Sequence, residues 1–509
     1  MNIYAYAASG YAGQLVSVEV DIRRGIPGLD IVGLPDSAVR ESRDRVRIAI
    51  HRSGFVFPLD RILVNLSPAD LKKEGSSYDL PIAVSILAES GQLPLEGDEH
   101  ILCIGELQLD GSVRSVFGVL PAVASAFAHG IKRFIIPSDN LREAATLAPG
   151  RSLGIANLTQ LLEVLNRPQS GNEAAVEEEE RALETVPSED ISGLRGQPIL
   201  KRVLELCAAG GHHLIVFGPP GSGKTMAVRT LPGLLPHLEP SRSIEVTRIW
   251  SQSGCLGERQ GLIRRPPFRE PHHSSTCEGI IGGAAGKPGE ASLAHGGILF
   301  LDEALEFGHR VLQSLREPME SSRVELARAG RQWWFPADFQ LVMAMNPCPC
   351  GNLGKEEVSC LCTMPEISRY WRRIGGALMD RVDVRVPVSP IDPVDLLMPA
   401  GEDSLTVRER VKEARMLQAR RFKDLDWNIN ADIPPSEIGK IILLDDSSTL
   451  FFTESVRKLG LSSRAAHGVL KVARTLADIS CRDEIIPDDI LEAVQYRRLG
   501  DRDLYWTTI

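Results

Sequence analysis

No apolar run in this 509-residue chain is long enough to cross a membrane. Its start, "MNIYAYAASG", lacks the basic stretch and apolar core of a secretion signal. Both absences make the cytoplasm the expected location and exclude a membrane partner. No internal repeat is sustained, which sets repeat architectures aside. An excess of positive charge is missing too: 57 Lys and Arg face 67 Asp and Glu, for a net charge of −10. Residues 173–190 carry eight acids and one Arg, or −7 of that total, so the remainder holds only −3. Bulk charge therefore says little for or against nucleic acid, and any positive surface has to be local. Five of the nine cysteines (Cys103, Cys207, Cys255, Cys277 and Cys481) are scattered and read as small, reduced core residues.

What is present is ordinary globular material, 43% hydrophobic and 24% charged, and too long for one core. The acidic stretch after "NRPQSGNE" reads as a solvated linker over residues 166–190. Before it, residues 1–165 alternate strand-like segments ("QLVSVEVDI", "RILVNLSP", "RFIIP") with helical ones ("SAVRESRDRVRIAIHRSG", "DLPIAVSILAESGQ"), the pattern of a mixed α/β layer domain. After it, "HLIVFGPP", "GGILFLDE" and "FQLVMAMNP" predict three buried parallel strands with chemistry at their carboxyl ends, within residues 191–391. Residues 392–509 read as helical, with "RERVKEARMLQARRF" and "LSSRAAHGVLKVARTLADI" at 3.6-residue spacing.

The segment Gly218–Pro219–Pro220–Gly221–Ser222–Gly223–Lys224–Thr225–Met226 follows an apolar strand and opens a helix. A glycine-rich curl there turns backbone N–H groups inward onto phosphate oxygens, beside a helix N-terminus that favours negative charge. Lys224 then reaches the outer phosphates of ATP, and the Thr225 hydroxyl takes a place on Mg²⁺. The strand "ILFLDE" delivers Asp302 to the same Mg²⁺ and Glu303 to the water that attacks. "FQLVMAMN" ends in Asn346, whose amide can hold that water against the γ-phosphate.

The order of phosphate loop, Asp-Glu strand and Asn strand, followed by "LMDRVD" and "LSSRAAH", resembles the AAA+ ATPases. With "PFREPHHSS", "GKPGEASLAHGGILFLDE", "NPCPCG" and "AVQYRRLGDRDL", the whole chain resembles their magnesium-chelatase-like family, which includes the competence protein ComM. "DEALEF" and "GGALMDRVD" depart slightly from the family's wording without removing a charged group. The resemblance implies an α/β AAA+ core with a helical lid. It implies Arg381 as an arginine finger reaching a neighbour's nucleotide, Arg464 as the lid's sensor of the γ-phosphate of its own subunit, and a hexameric ring. It also implies a motor on single-stranded or branched DNA, a branch-migration helicase in recombination during natural transformation. "RVELARAGRQWWFPADF" reads as a β-hairpin in which Arg328, Arg331 and Trp333 or Trp334 suit a strand grip; packing of the aromatics on the core is the alternative.

Cys348, Cys350, Cys360 and Cys362 form two Cys-x-Cys pairs between Asn346 and Arg381. Four thiolates at that spacing suit a closed, structural Zn²⁺ site; redox chemistry is the other reading. "NLSPADLKKEGSSYDLPIAVSILAESG" resembles the Lon protease domain, with Ser77 at the nucleophile's position. The stretch that should supply its lysine is "FGVLPAVAS", which has none, so proteolysis is expected to be lost. Two further functions stay open. One is a magnesium-chelatase-type motor subunit, disfavoured because that subunit is expected to resemble only the later part of the chain. The other is a protein-remodelling or protease ATPase.

Overall fold

The computed structural model describes residues 2–95, 99–166, 189–257, 261–283, 286–328, 331–355, 358–397 and 399–498. Most of the expected linker, 167–188, lies outside them, as does the "LGDRDL" of the closing motif. Among the described residues no helix is long and apolar enough to cross a membrane.

In the N-terminal unit, seven strands form one mixed sheet: β1 (Asn2–Ala7), β2 (Gln14–Arg23), β3 (Gly28–Val32), β4 (Arg61–Ser67), β5 (His100–Cys103), β8 (Arg133–Pro137) and β9 (Ser152–Ile155). The short pair β6 (Glu106–Leu107) and β7 (Val113–Arg114) stands beside it. Strand order is β3-β4-β2-β1-β5-β8-β9. Alternation decides the layers: Ile101, Cys103 and Ile135 enter one core, while Leu102, Ile104, Phe134 and Ile136 enter the other. Helix Ser37–Arg52 buries Val39, Val46, Ala49 and Ile50 at 3–4-residue spacing, and Asp36 caps it by accepting from the Val39 N–H. Helix Asp79–Glu89 is apolar nearly all round and is buried from Asp79 to Leu87. Helix Val119–Ala128 covers the opposite face of the sheet.

The second unit is built on a five-stranded, all-parallel sheet in the order β11-β12-β15-β10-β16. Its strands are β10 (Leu214–Phe217), β11 (Phe268–Arg269), β12 (Ile298–Leu301), β15 (Gln340–Met345) and β16 (Val384–Pro387). The three strands expected from the sequence are its centre, buried on both faces. The outer two escaped notice because β11 has two residues and β16, "VRVP", is interrupted by a charge. That charge, Arg385, is 2% exposed and donates to the Met379 carbonyl. Between β12 and β15 stands the expected hairpin, β13 (Arg323–Arg328) antiparallel to β14 (Arg331–Pro336). Helices Ser404–Arg421, Asp446–Leu459, Ser463–Ile479 and Pro487–Arg498 follow. Val407, Val411, Val469, Val472 and Leu476 share one core cluster with Leu214, Val216 and the helix Pro198–Gly210, which seats the helical region on the sheet.

Candidate nucleotide site and cysteine cluster

β10 ends at Phe217, and the chain turns at once into the loop that opens helix Lys224–Leu234. A side chain at position 218 would meet the Val388 carbonyl oxygen at 2.1 Å, and Gly223, at φ +82°, supplies the left-handed entry to the helix. Ser222 is buried and donates to the Pro219 carbonyl at 2.9 Å, whereas Met226 is half exposed on the helix. Lys224 folds back into the loop, its Nζ donating to the carbonyls of Gly218 (2.7 Å) and Pro219 (2.9 Å). Burial pulls its ammonium down to about 8, with Asp302 and Glu303 pulling the other way.

The Thr225 hydroxyl donates to Asp302 Oδ2 at 2.9 Å, so the two expected Mg²⁺ ligands face each other across the sheet edge. Both are hard oxygen donors and fit that ion. Glu303 follows with φ +49°, a left-handed conformation that costs a non-glycine residue about 1–3 kcal/mol and is found mostly where function demands it. Its N–H donates to Asp302 Oδ1, and its half-exposed carboxylate lies 3.6 Å from His273 Nδ1. His273 lies against His272, the two rings tilted by 33° with 4.1 Å between their centres. No role for His273 was legible in "EPHHSS", because its partner lies thirty residues away, in the turn after β12. The register Phe217↔Met345 sets Asn346 beside Gly218, whose N–H donates to the Met345 carbonyl at 3.2 Å.

The two expected arginines lie with each other. Arg381 is 10% exposed; its Nη1 donates to the Ala377 carbonyl and its Nη2 to Glu320. Arg464, at the first turn of the helix Ser463–Ile479, donates from Nη2 to the same Glu320 oxygen at 3.2 Å. Among the described residues no hydrogen bond or ion pair joins either arginine to Lys224, Asp302 or Glu303. Nothing in the sequence marked Glu320 as their shared partner.

The four clustered thiols come together with every Sγ within 4.8 Å of the others. Cys348 and Cys350 are 3.4 Å apart, and Cys360 lies 3.6 Å from each. A tetrahedron with metal–sulfur bonds of about 2.3 Å has edges of about 3.8 Å, so the cluster fits a four-thiolate ion with little rearrangement. The loop braces the nucleotide site. A side chain at Gly351 would touch the Pro220 ring at 3.0 Å. Trp371 Nε1 donates to the Pro347 carbonyl next to Asn346, and its ring meets Phe217 edge-on at 5.3 Å.

The hairpin lies against the N-terminal unit. The Tyr11 N–H donates to the Trp334 carbonyl at 3.0 Å, and their rings are 5.2 Å apart and tilted. Trp333 packs beside Gly10 and Gly286. The tryptophans are thus engaged by the other unit, which neither expectation for them foresaw. Arg328 and Arg331 form the last paired positions before the turn; the turn itself and their side chains lie outside the described residues. Ser77 sits in the turn Ser76–Tyr78 ahead of helix Asp79–Glu89. The buried lysine of that loop, Lys73, spends its Nζ on the Pro68 carbonyl.

Residues 190–396 match the family model for magnesium chelatase, subunit ChlI, and residues 401–497 the model for that subunit's C-terminal part. Residues 18–140 match a model for subunit ChlI of Mg-chelatase, so the likeness to that subunit is not confined to the later part of the chain. The uncharacterized protein YifB of Escherichia coli is 40% identical over 98% of this chain and 97% of its own length. The competence protein ComM of Haemophilus influenzae is 38% identical over 98% of this chain and 97% of its own. A Lon protease of Solibacter usitatus is 26% identical over 149 residues, 27% of this chain and 18% of its own. The chain belongs to the magnesium-chelatase-like AAA+ ATPase family of ComM and YifB, with a Lon-protease-like domain at its N-terminus.

Proposed function

We propose that this protein is an ATP-hydrolysing hexameric ring motor that acts on DNA in the cytoplasm, as a branch-migration helicase in recombination during natural transformation. The observation that carries the ATPase part is the meeting of Lys224, Thr225, Asp302, Glu303 and Asn346 at the carboxyl edge of one parallel sheet. Lys224 and the loop N–H groups hold the phosphates of ATP. Thr225 and Asp302 hold Mg²⁺, which neutralises charge on the transferring group. Glu303 takes the proton of the attacking water, which Asn346 orients. Arg381 acts across a subunit boundary on the neighbour's γ-phosphate. Arg464, which shares Glu320 with it and among the described residues has no hydrogen bond or ion pair to Lys224, Asp302 or Glu303, is assigned there too rather than to its own subunit's nucleotide. A structural Zn²⁺ on Cys348, Cys350, Cys360 and Cys362 stiffens the loop that abuts Pro220 and carries Asn346.

The DNA part is supported by similarity along nearly the whole chain to a protein named for competence and by the hairpin that ends in Arg328 and Arg331. A magnesium-chelatase-type subunit is the second reading, favoured by the family models that match all three regions. ATP turnover with and without single-stranded and branched DNA separates the two. DNA should stimulate hydrolysis, and affinity should fall steeply with salt as counterions are taken back up. Neutralising Arg328 and Arg331 together should lower the salt slope and uncouple turnover from DNA. A protein-remodelling ring would respond to unfolded polypeptide instead. An ATP-competent ring with neither DNA stimulation nor salt-sensitive DNA affinity would sink the reading.

A further inference from the structure

We propose that Glu320 is the positioning residue of the arginine face: its carboxylate holds Arg381 of the sheet unit and Arg464 of the helical region side by side, so that both meet one γ-phosphate of the neighbouring subunit. This rests on the reading that these arginines act in trans. The two come from separate parts of the chain, 83 positions apart, and both place Nη2 on Glu320. Like charges that close repel one another, and the carboxylate between them offsets that repulsion. Arg381 is fixed from two sides, by Glu320 and by the Ala377 carbonyl. Arg464 is 53% exposed, and among the described residues Glu320 is its only recorded partner. That bond uses Nη2, and the half-exposed side chain leaves room for a phosphate to approach the rest of the guanidinium.

Glu320 is itself held in place. Pro318 is buried at the head of the short turn Pro318–Ser321, and Ser322, at φ +53°, ends it immediately before β13. A cavity of about 440 Å³ opens beside it, lined by Gln313, Ser314, Arg316, Glu317, Glu320 and Ser321, which leaves the face accessible to a neighbouring subunit. An ordinary exposed ion triad would contribute little to stability, and its removal would leave catalysis as it was. A positioning role predicts otherwise, since small misplacement of catalytic groups is expensive.

The test uses the full chain. Glu320→Ala should bind a fluorescent ATP analogue within about twofold of the parent while kcat falls about ten- to a hundredfold at saturating ATP. Glu320→Asp should recover part of the loss. Mixing then separates a face defect from misfolding. Lys224→Ala subunits keep their arginines, and Glu320→Ala subunits keep their nucleotide site, so equal mixing should revive about a quarter of the interfaces. The same mixture made with Arg381→Ala is the control for action in trans. Revival with Arg381→Ala, but unchanged kcat or no revival with Glu320→Ala, would overturn the role of Glu320 alone. A rise in kcat on Glu320→Ala would overturn it too, because the carboxylate would then be competing with nucleotide. Failure of the Arg381→Ala mixture to revive would overturn the trans reading itself.

Discussion

Lys224 sits low enough on the pH scale for its charge to be read out directly. Burial within the loop holds its ammonium at about 8, and the carboxylates of Asp302 and Glu303 only partly oppose this. Bound triphosphate would favour the charged form, so ATP binding should take up a proton wherever free Lys224 is neutral. With a pKa of about 8, about half the molecules are charged at pH 8 and about one in eleven at pH 9. The apparent Kd for ATP should therefore weaken about twofold by pH 8 and about tenfold by pH 9, relative to pH 7. The last ionisation of a phosphate lies near 6, so the nucleotide's own charge is nearly constant over this window. Binding is best followed by calorimetry in the Glu303→Gln variant, in buffers of different ionisation enthalpy so that proton uptake is counted. Lys224→Arg should flatten the profile, because a guanidinium stays charged. The stability of the free protein should move in the opposite direction. A lysine whose folded pKa lies below its unfolded 10.5 leaves the unfolded chain holding more protons between about 8 and 10.5, so stability rises with pH there. A Kd that stays flat from pH 7 to 9.5, with no proton uptake, would refute the placement of Lys224 against the phosphates.

Lys224→Ala should abolish tight ATP binding, whereas Glu303→Gln should bind ATP normally and stop turnover, because one acts on ground-state phosphates and the other on the attacking water; normal turnover in Glu303→Gln would end that assignment. Elemental analysis of unchelated protein should find one Zn²⁺ per chain, lost when Cys348 and Cys360 are replaced by Ser, and its loss should weaken ATP binding through the contact between Gly351 and Pro220. Metal-free protein with four titratable thiols would favour the redox reading. His295 is buried and neutral: its Nδ1 accepts from the Asp338 N–H at 3.1 Å, its Nε2 faces Glu245, and burial holds it down to about 4. Stability should be full above pH 6.5 and fall toward pH 4, by at most about 1.4 kcal/mol per pH unit, and the slope should be shallower in His295→Gln denaturation curves.

The parts of this molecule that could be read from sequence are those whose chemistry is contiguous. The phosphate loop carries its strand, its glycines and its lysine in one run, and the other two centre strands run straight into the polar residues they deliver. The cysteine cluster was legible for the same reason. The unread parts are made by distance in sequence. Glu320 looks like any exposed acid until the fold sets Arg381 and Arg464 against it. His273 gains meaning only from Glu303, which follows the neighbouring strand. The tryptophans of "RQWWFP" could be placed on a hairpin by alternation, but their partner Tyr11 is more than three hundred residues away. Composition gives no warning of a contact between two units, because its residues are chosen for each other and not for a local period.

The hairpin is where these long-range contacts join. It leads straight into β15, six residues buried on both faces and about 20 Å long. Asn346 stands at the far end of that strand, and Glu320 stands three residues ahead of the hairpin's first. The hairpin thus lies in sequence between the carboxylate that binds Arg381 and Arg464 and the strand that ends at Asn346. A close-packed strand transmits displacement because it cannot absorb it. Beside the packing of Trp333 on Gly10, Tyr11 gives the hairpin one backbone hydrogen bond and one tilted aromatic pair. Each contributes about 0.5–1.5 kcal/mol. Neighbouring contacts run to helix Pro240–Ser253, where Arg248 lies over the Tyr11 ring at 4.4 Å and Gln252 donates to the Gly10 carbonyl at 2.9 Å. Through Gly10 and Tyr11 the N-terminal unit thus touches both the hairpin that precedes β15 and the helix that precedes β12.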